Sequence, residues 1–501
     1  MLKIAALACL AILPLQAAPQ AADPPAKDEV EMKKFIDTLR ILEDNAAAPI
    51  DIDQAFYQGA IPGMLKHLDP HSIFFDSDQY AQMKQMETST SKGFGTIVSI
   101  LPGRVMVLQT MPNSPSAKSG MIPGDEILAV NNYRLDRLEG EQIVELLNES
   151  KQHPARLIVH HPGNARFTEL TLVPEAMQSS SVERAFLLKP NVGYIRVGSF
   201  EEKTGQQIHT AIERLGGRDL KGLVLDLRNN PGGLMTAALE TASLFLKPGQ
   251  AVLSVKGRNV PETIERVPKD NIPYLFPVAV LVNAKTASAS EIVSGALQDH
   301  DRATIVGEPS FGKGLVQSVY PLAEGTGVAL TTALYYIPSG RSIQKSFNAQ
   351  RSERQEDFAL GATAAHPNDR GDFKTDSGRP VPGGGGIVPD IPAYPIEMNR
   401  LRSVLEGSGS FTSFAAEFIR GEKIEPGWQL PPQVLDRYQA WLAERNIQPN
   451  LAEWSANREF IETRLKGEIY NLALGVDKGD EVEAQIDPPI VKALAAIAKG
   501  S

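Results

Sequence analysis

Val278-Ala-Val-Leu-Val-Asn-Ala-Lys-Thr-Ala-Ser-Ala-Ser-Glu-Ile-Val-Ser-Gly-Ala-Leu-Gln298 changes its structural rhythm part-way along. The apolar run Val278 to Val282 is short and uninterrupted, as in a strand buried on both faces. The strand ends at Asn283, and a helix begins within Ala284–Gln298, which puts Ser288 at the strand-to-helix junction. A helix N-terminus carries amides without intrahelical partners and favours developing negative charge. The same residues fit a plainer role. Ser288-Ala-Ser-Glu291 has the spacing of a capping box, in which serine and glutamate satisfy first-turn amides. This segment alone therefore does not separate a nucleophile from a cap.

Working outward, Gly222-Leu-Val-Leu-Asp-Leu227 is a second buried-strand run, and strand and helix patterns alternate across residues 176–398. Such alternation predicts a layered α/β core. Within it, 346–383 is polar and rich in Gly, Arg and Asp, and reads as an inserted loop. Residues 19–91 are read as an N-terminal helical region, interrupted at Leu68-Asp-Pro-His-Ser-Ile-Phe74, where Pro70 disfavours helix in the residue before it. Residues 92–175 read as a compact mixed α/β module. Its helix, Glu139 to Asn148, carries Val144 and Leu147, which either line a groove or face the module's core, the core being the favoured reading. Residues 399–501 read as helical.

Glu308-Pro-Ser-Phe-Gly-Lys-Gly-Leu-Val-Gln-Ser-Val319 sets Lys313 between two glycines, ahead of a strand pattern. Glycine permits close backbone approach there. Lys313 and Gln317 are four apart and share a face in either a strand or a helix. Desolvation lowers a lysine pKa, so a buried Lys313 can be a neutral base near neutral pH. It would then take a proton from Ser288 and return it to a leaving amine, with Gln317 holding the amine in place. Taken alone, Lys313 reads as a solvated loop lysine.

Thr286-Ala-Ser-Ala-Ser-Glu291, together with Gly307-Glu-Pro-Ser-Phe-Gly-Lys-Gly-Leu-Val-Gln317, resembles the signature of carboxyl-terminal processing (tail-specific) peptidases. The resemblance covers roughly Leu68 to Ile391. It implies a crotonase/ClpP-like α/β peptidase core with an inserted PDZ domain and helical N- and C-terminal regions. It also implies a Ser/Lys serine endopeptidase with an acyl-enzyme intermediate, Ser288 as nucleophile, Lys313 as base and Gln317 as the base's partner. Ser290 is the nearest competitor. Leu225-Asp-Leu-Arg-Asn-Asn-Pro-Gly-Gly-Leu234 resembles the family's strand and glycine turn, and the amides of Gly232 and Ala289 are the implied oxyanion donors. The plainer reading of that block is a tight turn. Asp226, Arg228, Glu291 and Asp299 are read as supporting groups.

Residues 92–175 resemble a PDZ domain, most tellingly in Ser114-Pro-Ser-Ala-Lys-Ser-Gly-Met-Ile-Pro-Gly-Asp-Glu-Ile-Leu128. Such domains add a peptide to a sheet edge and seat its terminal carboxylate on loop amides. Gly93, Phe94 and Gly95 are the candidate contacts, against a structural role at the start of the strand. The resemblance implies peptide or protein substrates with accessible C-termini, and leaves room for an adaptor protein or a homo-oligomer. A non-hydrolytic PDZ scaffold and a small-molecule acyl hydrolase are the competing readings.

The 501 residues carry a net charge of −10, which argues against a nucleic-acid surface. The first 18 residues, with Lys3, an apolar run to Leu13 and then Ala17-Ala18, have the layout of a secretory signal peptide. The single cysteine, Cys9, would leave with it. The expectation is an exported protein of the periplasm or cell envelope, with no metal site and no cofactor. The histidines lack metal-ligand spacing.

Overall fold

The computed structural model describes residues 25–87, 90–161, 163, 166–178, 180–345 and 372–499. The expected signal peptide, with Cys9, and the stretch 346–371 lie outside the described residues. The chain divides into two compact units, one ending at Leu68 and the other beginning at Asp69.

The first unit is helical, with a long helix Pro25–Asn45 and a shorter one at Ile61–Leu68. Phe35 meets Phe56 edge-on at 6.0 Å between ring centroids, joining the long helix to the turn that follows it.

In the second unit, strands Val192–Val197, Gly222–Asp226, Val278–Val282, Ala303–Gly307 and Ile391–Pro392 run parallel in that order, and Val182–Lys189 closes one edge antiparallel. The apolar run of the central strand has a two-sided use. Val278, Val280 and Val282 join a core with Ile292, Val293 and Leu297 of helix Ala289–Asp299. Ala279 and Leu281 face the opposite side, with Ile490, Ala493 and Ile497 of the last helix, Pro488–Lys499. Each buried Val or Leu side chain contributes about 1.5–3 kcal/mol, so a strand covered on both faces is fixed in register.

A second sheet holds Leu315–Pro321 against Gly327–Tyr336, which also pairs with Ile73–Phe75 and Ala251–Lys256. Ala329 is the register partner of both Ile73 and Val319, so the chain just after Asp69 and the strand just after Lys313 flank the same neighbour.

The PDZ-like module is an antiparallel sheet in the order Thr96–Leu101, Arg104–Thr110, Glu126–Val130, Ala155–His160, Phe167–Leu172, with helix Gly140–Ser150 packed on it. Thr96–Leu101 is one edge of the sheet. Leu147 packs against the module's core, but Val144 is 44% exposed, contrary to expectation. Helix phase explains this: Ile143 and Leu146 take the core-facing positions, and Val144 falls beside them on the outer side.

Of the polar stretch 346–383, the described part from 372 is anchored. Phe373–Lys374 pairs with Pro380–Val381, Asp376 Oδ2 meets His300 Nδ1 at 2.8 Å, and Arg379 pairs with Asp390. The C-terminal helices from Arg400–Gly407 to Arg458–Leu474 build an aromatic core around Phe411, Phe414 and Tyr438. Leu101 and Met106 of the PDZ-like hairpin belong to that same core.

Candidate active site

Ser288 stands immediately before helix Ala289–Asp299 with φ 56° and ψ −118°. A non-glycine residue held there stores about 1–3 kcal/mol of backbone strain, so its surroundings must over-determine it. They do. Ala287 N donates to Asn230 O at 3.0 Å, Thr286 Oγ1 donates to Leu227 O at 2.8 Å, and Ser288 N donates to Glu291 Oε2 at 2.8 Å. The glutamate half of the capping box is thus real, yet Glu291 serves more than its own helix.

Glu291 is fully buried, and four donors converge on it. Oε1 accepts from Ser310 Oγ at 2.5 Å and Gly312 N at 2.7 Å, while Oε2 accepts from Ser288 N and, at 2.9 Å, from Lys313 N. Burial pushes its carboxyl pKa up, opposed by these hydrogen bonds. Because one oxygen binds both amides, the backbones of Ser288 and Lys313 are no farther apart than two hydrogen bonds laid end to end. Tyr335 adds a second clasp, its hydroxyl reaching Lys313 O at 2.5 Å and Ser288 O at 3.1 Å. Burial, and then the Glu291 charge, hold the Tyr335 hydroxyl well above its ordinary pKa, so it remains a donor.

Lys313 Nζ donates to Gln317 Oε1 at 2.8 Å, and Gln317 Nε2 donates to His71 O at 2.6 Å. Burial lowers the lysine pKa from its ordinary value, while the charges of Asp69 and Glu291 raise it. No hydrogen bond joins Nζ to Ser288 Oγ among the described residues. Catalytic hydrogen bonds are often long before substrate arrives.

Ser288 is half-buried, whereas Ser290 is completely buried and donates to Asn230 O at 3.2 Å. The two serines are therefore unequal: one faces accessible space and the other is a structural peg. His300, at the far end of the helix, bonds Asp376 and Ala251 O.

Gly232 lies against the serine. A Cβ there would stand 2.8 Å from Ser288 Cβ and 2.7 Å from Ala287 O, and its φ of 97° also favours glycine. Its N–H is engaged, donating to Asn230 Oδ1 at 2.9 Å. The amides of Ala289 and Gly233 have no partner among the described residues. Behind this loop, Arg228 pairs with buried Asp226 at 2.6 Å and with Asp487 at 2.9 Å, and Tyr194 donates to Asp226 at 2.7 Å.

Gly93, Phe94 and Gly95 lie in the other module, just before its edge strand. Gly95 has φ 71°, and a Cβ there would meet Ser114 Cβ at 2.2 Å. Gly95 O accepts from Met111 N and Phe94 O from Ser116 N, at 2.8 and 3.0 Å. Among the described residues, no group of three or more His, Cys, Asp or Glu is placed to hold a metal ion, and no helix is long and apolar enough to cross a membrane.

Sequence reasoning missed Asn230 as an anchor, Ser310, Tyr335 and the His71 carbonyl. Asn230, Ser310 and His71 belong to segments with a clear local pattern, but that pattern carries no sign of partners 19 to 246 residues away.

Residues 191–349 match the model of peptidase family S41, and residues 84–160 match the PDZ domain. The molecule is thus a serine-type peptidase joined to a peptide-binding module, acting on peptide or protein substrates. A carboxy-terminal-processing protease of Bartonella bacilliformis is 32% identical over 376 residues, covering 72% of this chain and 85% of that protein. A carboxyl-terminal-processing protease of Synechocystis is 34% identical over 292 residues, covering 57% of this chain and 68% of its own. The chain belongs to the carboxy-terminal-processing protease family. Among solved structures, a photosystem II D1 C-terminal processing protease aligns over 75% of this chain and 96% of its own, at 24% identity and a TM-score of 0.39.

Proposed function

We propose that the chain hydrolyses peptide bonds of proteins with accessible C-termini by a Ser/Lys mechanism. Neutral Lys313 Nζ takes the proton of Ser288 Oγ as that oxygen attacks the scissile carbonyl carbon. The proton passes to the departing amine nitrogen, which leaves as the C–N bond breaks. A water then attacks the acyl-enzyme, giving its proton to Lys313, and Ser288 recovers a proton as the acid product departs. Gln317 holds the amine. The Ala289 N–H is ready to donate to the oxyanion, whereas the Gly232 N–H must first leave Asn230 Oδ1. The observation that carries this reading is the single Glu291 oxygen accepting from the amides of both Ser288 and Lys313. The lowered pKa of Lys313 supports its role as a base.

We further propose that Gly93, Phe94 and Gly95 present the edge strand Thr96–Leu101 to a substrate C-terminus, and that the protein is exported to the cell envelope. An adaptor or self-association would act through surfaces outside this site. The test expresses wild type, Ser288→Ala and Lys313→Ala from the full sequence and purifies them from an envelope extract. Each is incubated with an unfolded reporter protein, and the fragments are identified by mass spectrometry. Both substitutions should lower cleavage at least about a thousandfold with folding intact. Persistent cleavage by Ser288→Ala would remove Ser288 as the nucleophile. Wild type that folds but cuts nothing would favour a peptide-binding scaffold. An N-terminus at Met1, or absence from the envelope extract, would refute export.

A further inference from the structure

Gln317 faces two groups, and one of them leaves it no choice of orientation. A backbone carbonyl only accepts, so the amide NH2 must point to His71 O, 2.6 Å away, and Oε1 must then point to Lys313 Nζ. The position of the base thus depends on where the peptide following His71 sits. That peptide belongs to a turn built around Asp69, which is 9% exposed. Asp69 Oδ1 accepts from His71 N at 2.7 Å and from Ser72 N at 2.8 Å, and Oδ2 accepts from Ser72 Oγ at 2.6 Å. Ser72 Oγ in turn accepts from Thr331 N at 3.2 Å, tying the turn to strand Gly327–Tyr336.

We propose that Asp69 is a positioning residue for Lys313: through the His71 peptide it fixes the direction of the Gln317 amide that holds the amine. The inference rests on the Ser/Lys reading above. A carboxylate suits this task because it accepts three hydrogen bonds at once without offering a donor that would reverse one of them.

Several titratable groups lie around Lys313. Asp69 and His71 lie on the turn, Glu291 on helix Ala289–Asp299, and Tyr335 on the neighbouring strand. Lys345 lies behind Gly312, its N donating to Gly312 O at 2.9 Å. Tyr335 stays protonated, so Asp69 and Glu291 are the charges that favour the ammonium form, against burial. Removing the Asp69 charge therefore lowers the pKa of the base. The acid limb of kcat/KM, where Lys313 gains its proton, should move to lower pH.

The experiment measures kcat and kcat/KM against pH on a fluorogenic peptide, using the full-length enzyme with Asp69→Asn and Asp69→Glu. Asp69→Asn keeps the size, removes the charge and turns the oxygen facing Ser72 Oγ into a donor; its acid limb should fall by about half a pH unit or more. Asp69→Glu keeps the charge and lengthens the arm. Its acid limb should stay in place while kcat falls about tenfold through the displaced His71 carbonyl. If Asp69→Asn does not fold, Asp69→Glu alone decides the positioning claim. An unmoved limb in Asp69→Asn, or wild-type kcat in Asp69→Glu, overturns the proposal. Lys313→Ala run alongside separates the two levels: activity surviving that substitution sinks the Ser/Lys reading itself, whatever the Asp69 variants do.

Discussion

A carboxylate buried without an adjacent guanidinium or ammonium is costly unless hydrogen bonds replace its water, and Glu291 has four. Its position makes it a joint between the two halves of the proposed dyad rather than a participant in proton transfer. Glu291→Gln tests this. The amide keeps one acceptor, but its NH2 would face N–H or O–H donors where an oxygen had been, leaving buried donors unsatisfied. Unfolding free energy should fall by about 2–4 kcal/mol, read from urea denaturation. Activity should fall by about a hundredfold in the fraction that remains folded, because whichever way the amide turns, either the Ser288 and Lys313 amides or the Ser310 and Gly312 donors lose their oxygen. Unchanged activity in a folded Glu291→Gln enzyme would show that the joint has no part in catalysis.

Among the elements, the turn from strand Gly222–Asp226 to helix Met235–Ser243 meets the turn from strand Val278–Val282 to helix Ala289–Asp299, and Gly232 is the tightest point of contact. Gly232→Ala meets two backbone atoms and Ser288 Cβ, none of which is the free end of a flexible side chain. Gly249 has a similar φ, 79°, with open space around it. Gly249→Ala should therefore cost only the backbone penalty, about 1 kcal/mol, and leave turnover intact. Gly232→Ala should lose turnover about a hundredfold or more and destabilise by about 2–4 kcal/mol. Equal behaviour of the two variants in thermal melts and peptide assays would refute the crowding argument. These turns were legible in the sequence because strand runs, capping residues and glycines are local signals. Val278 to Val282 announced its buried strand, and the spacing of Lys313 and Gln317 announced a shared face. The Asp69 turn reads in the sequence only as a break in a helix, since nothing within Leu68 to Phe74 says that its carbonyl will meet a side chain 246 residues away. Tyr335 was illegible for the same reason: as an apolar-looking strand residue, it gives no sign that its hydroxyl reaches the carbonyls of both Ser288 and Lys313.

At the scale of the molecule, the C-terminal helices touch both working parts. Asp487, just before the last helix, pairs with Arg228 beneath the loop that carries Gly232. Farther along the same region, Leu101 and Met106 of the PDZ hairpin sink into the aromatic core, and Arg104 Nη2 donates to Ser413 Oγ at 2.9 Å. A Cβ on Gly409 would stand 2.6 Å from Leu101 Cδ2, so the fit there is close. Leu101 ends the edge strand proposed to receive a substrate terminus, and this seat therefore sets the strand's direction. Leu101→Asp would bury a charge without a partner, and the hairpin should leave its seat rather than accept that cost. Cleavage of a protein substrate, which needs the edge strand and Ser288 in register, should fall about tenfold in kcat/KM. Hydrolysis of a short peptide that reaches only the Ser288 site should hold within about twofold, because that site makes none of these contacts. Equal losses on both substrates would mean that Leu101 supports the fold as a whole. No loss on either would mean that the seat does not govern how substrate arrives.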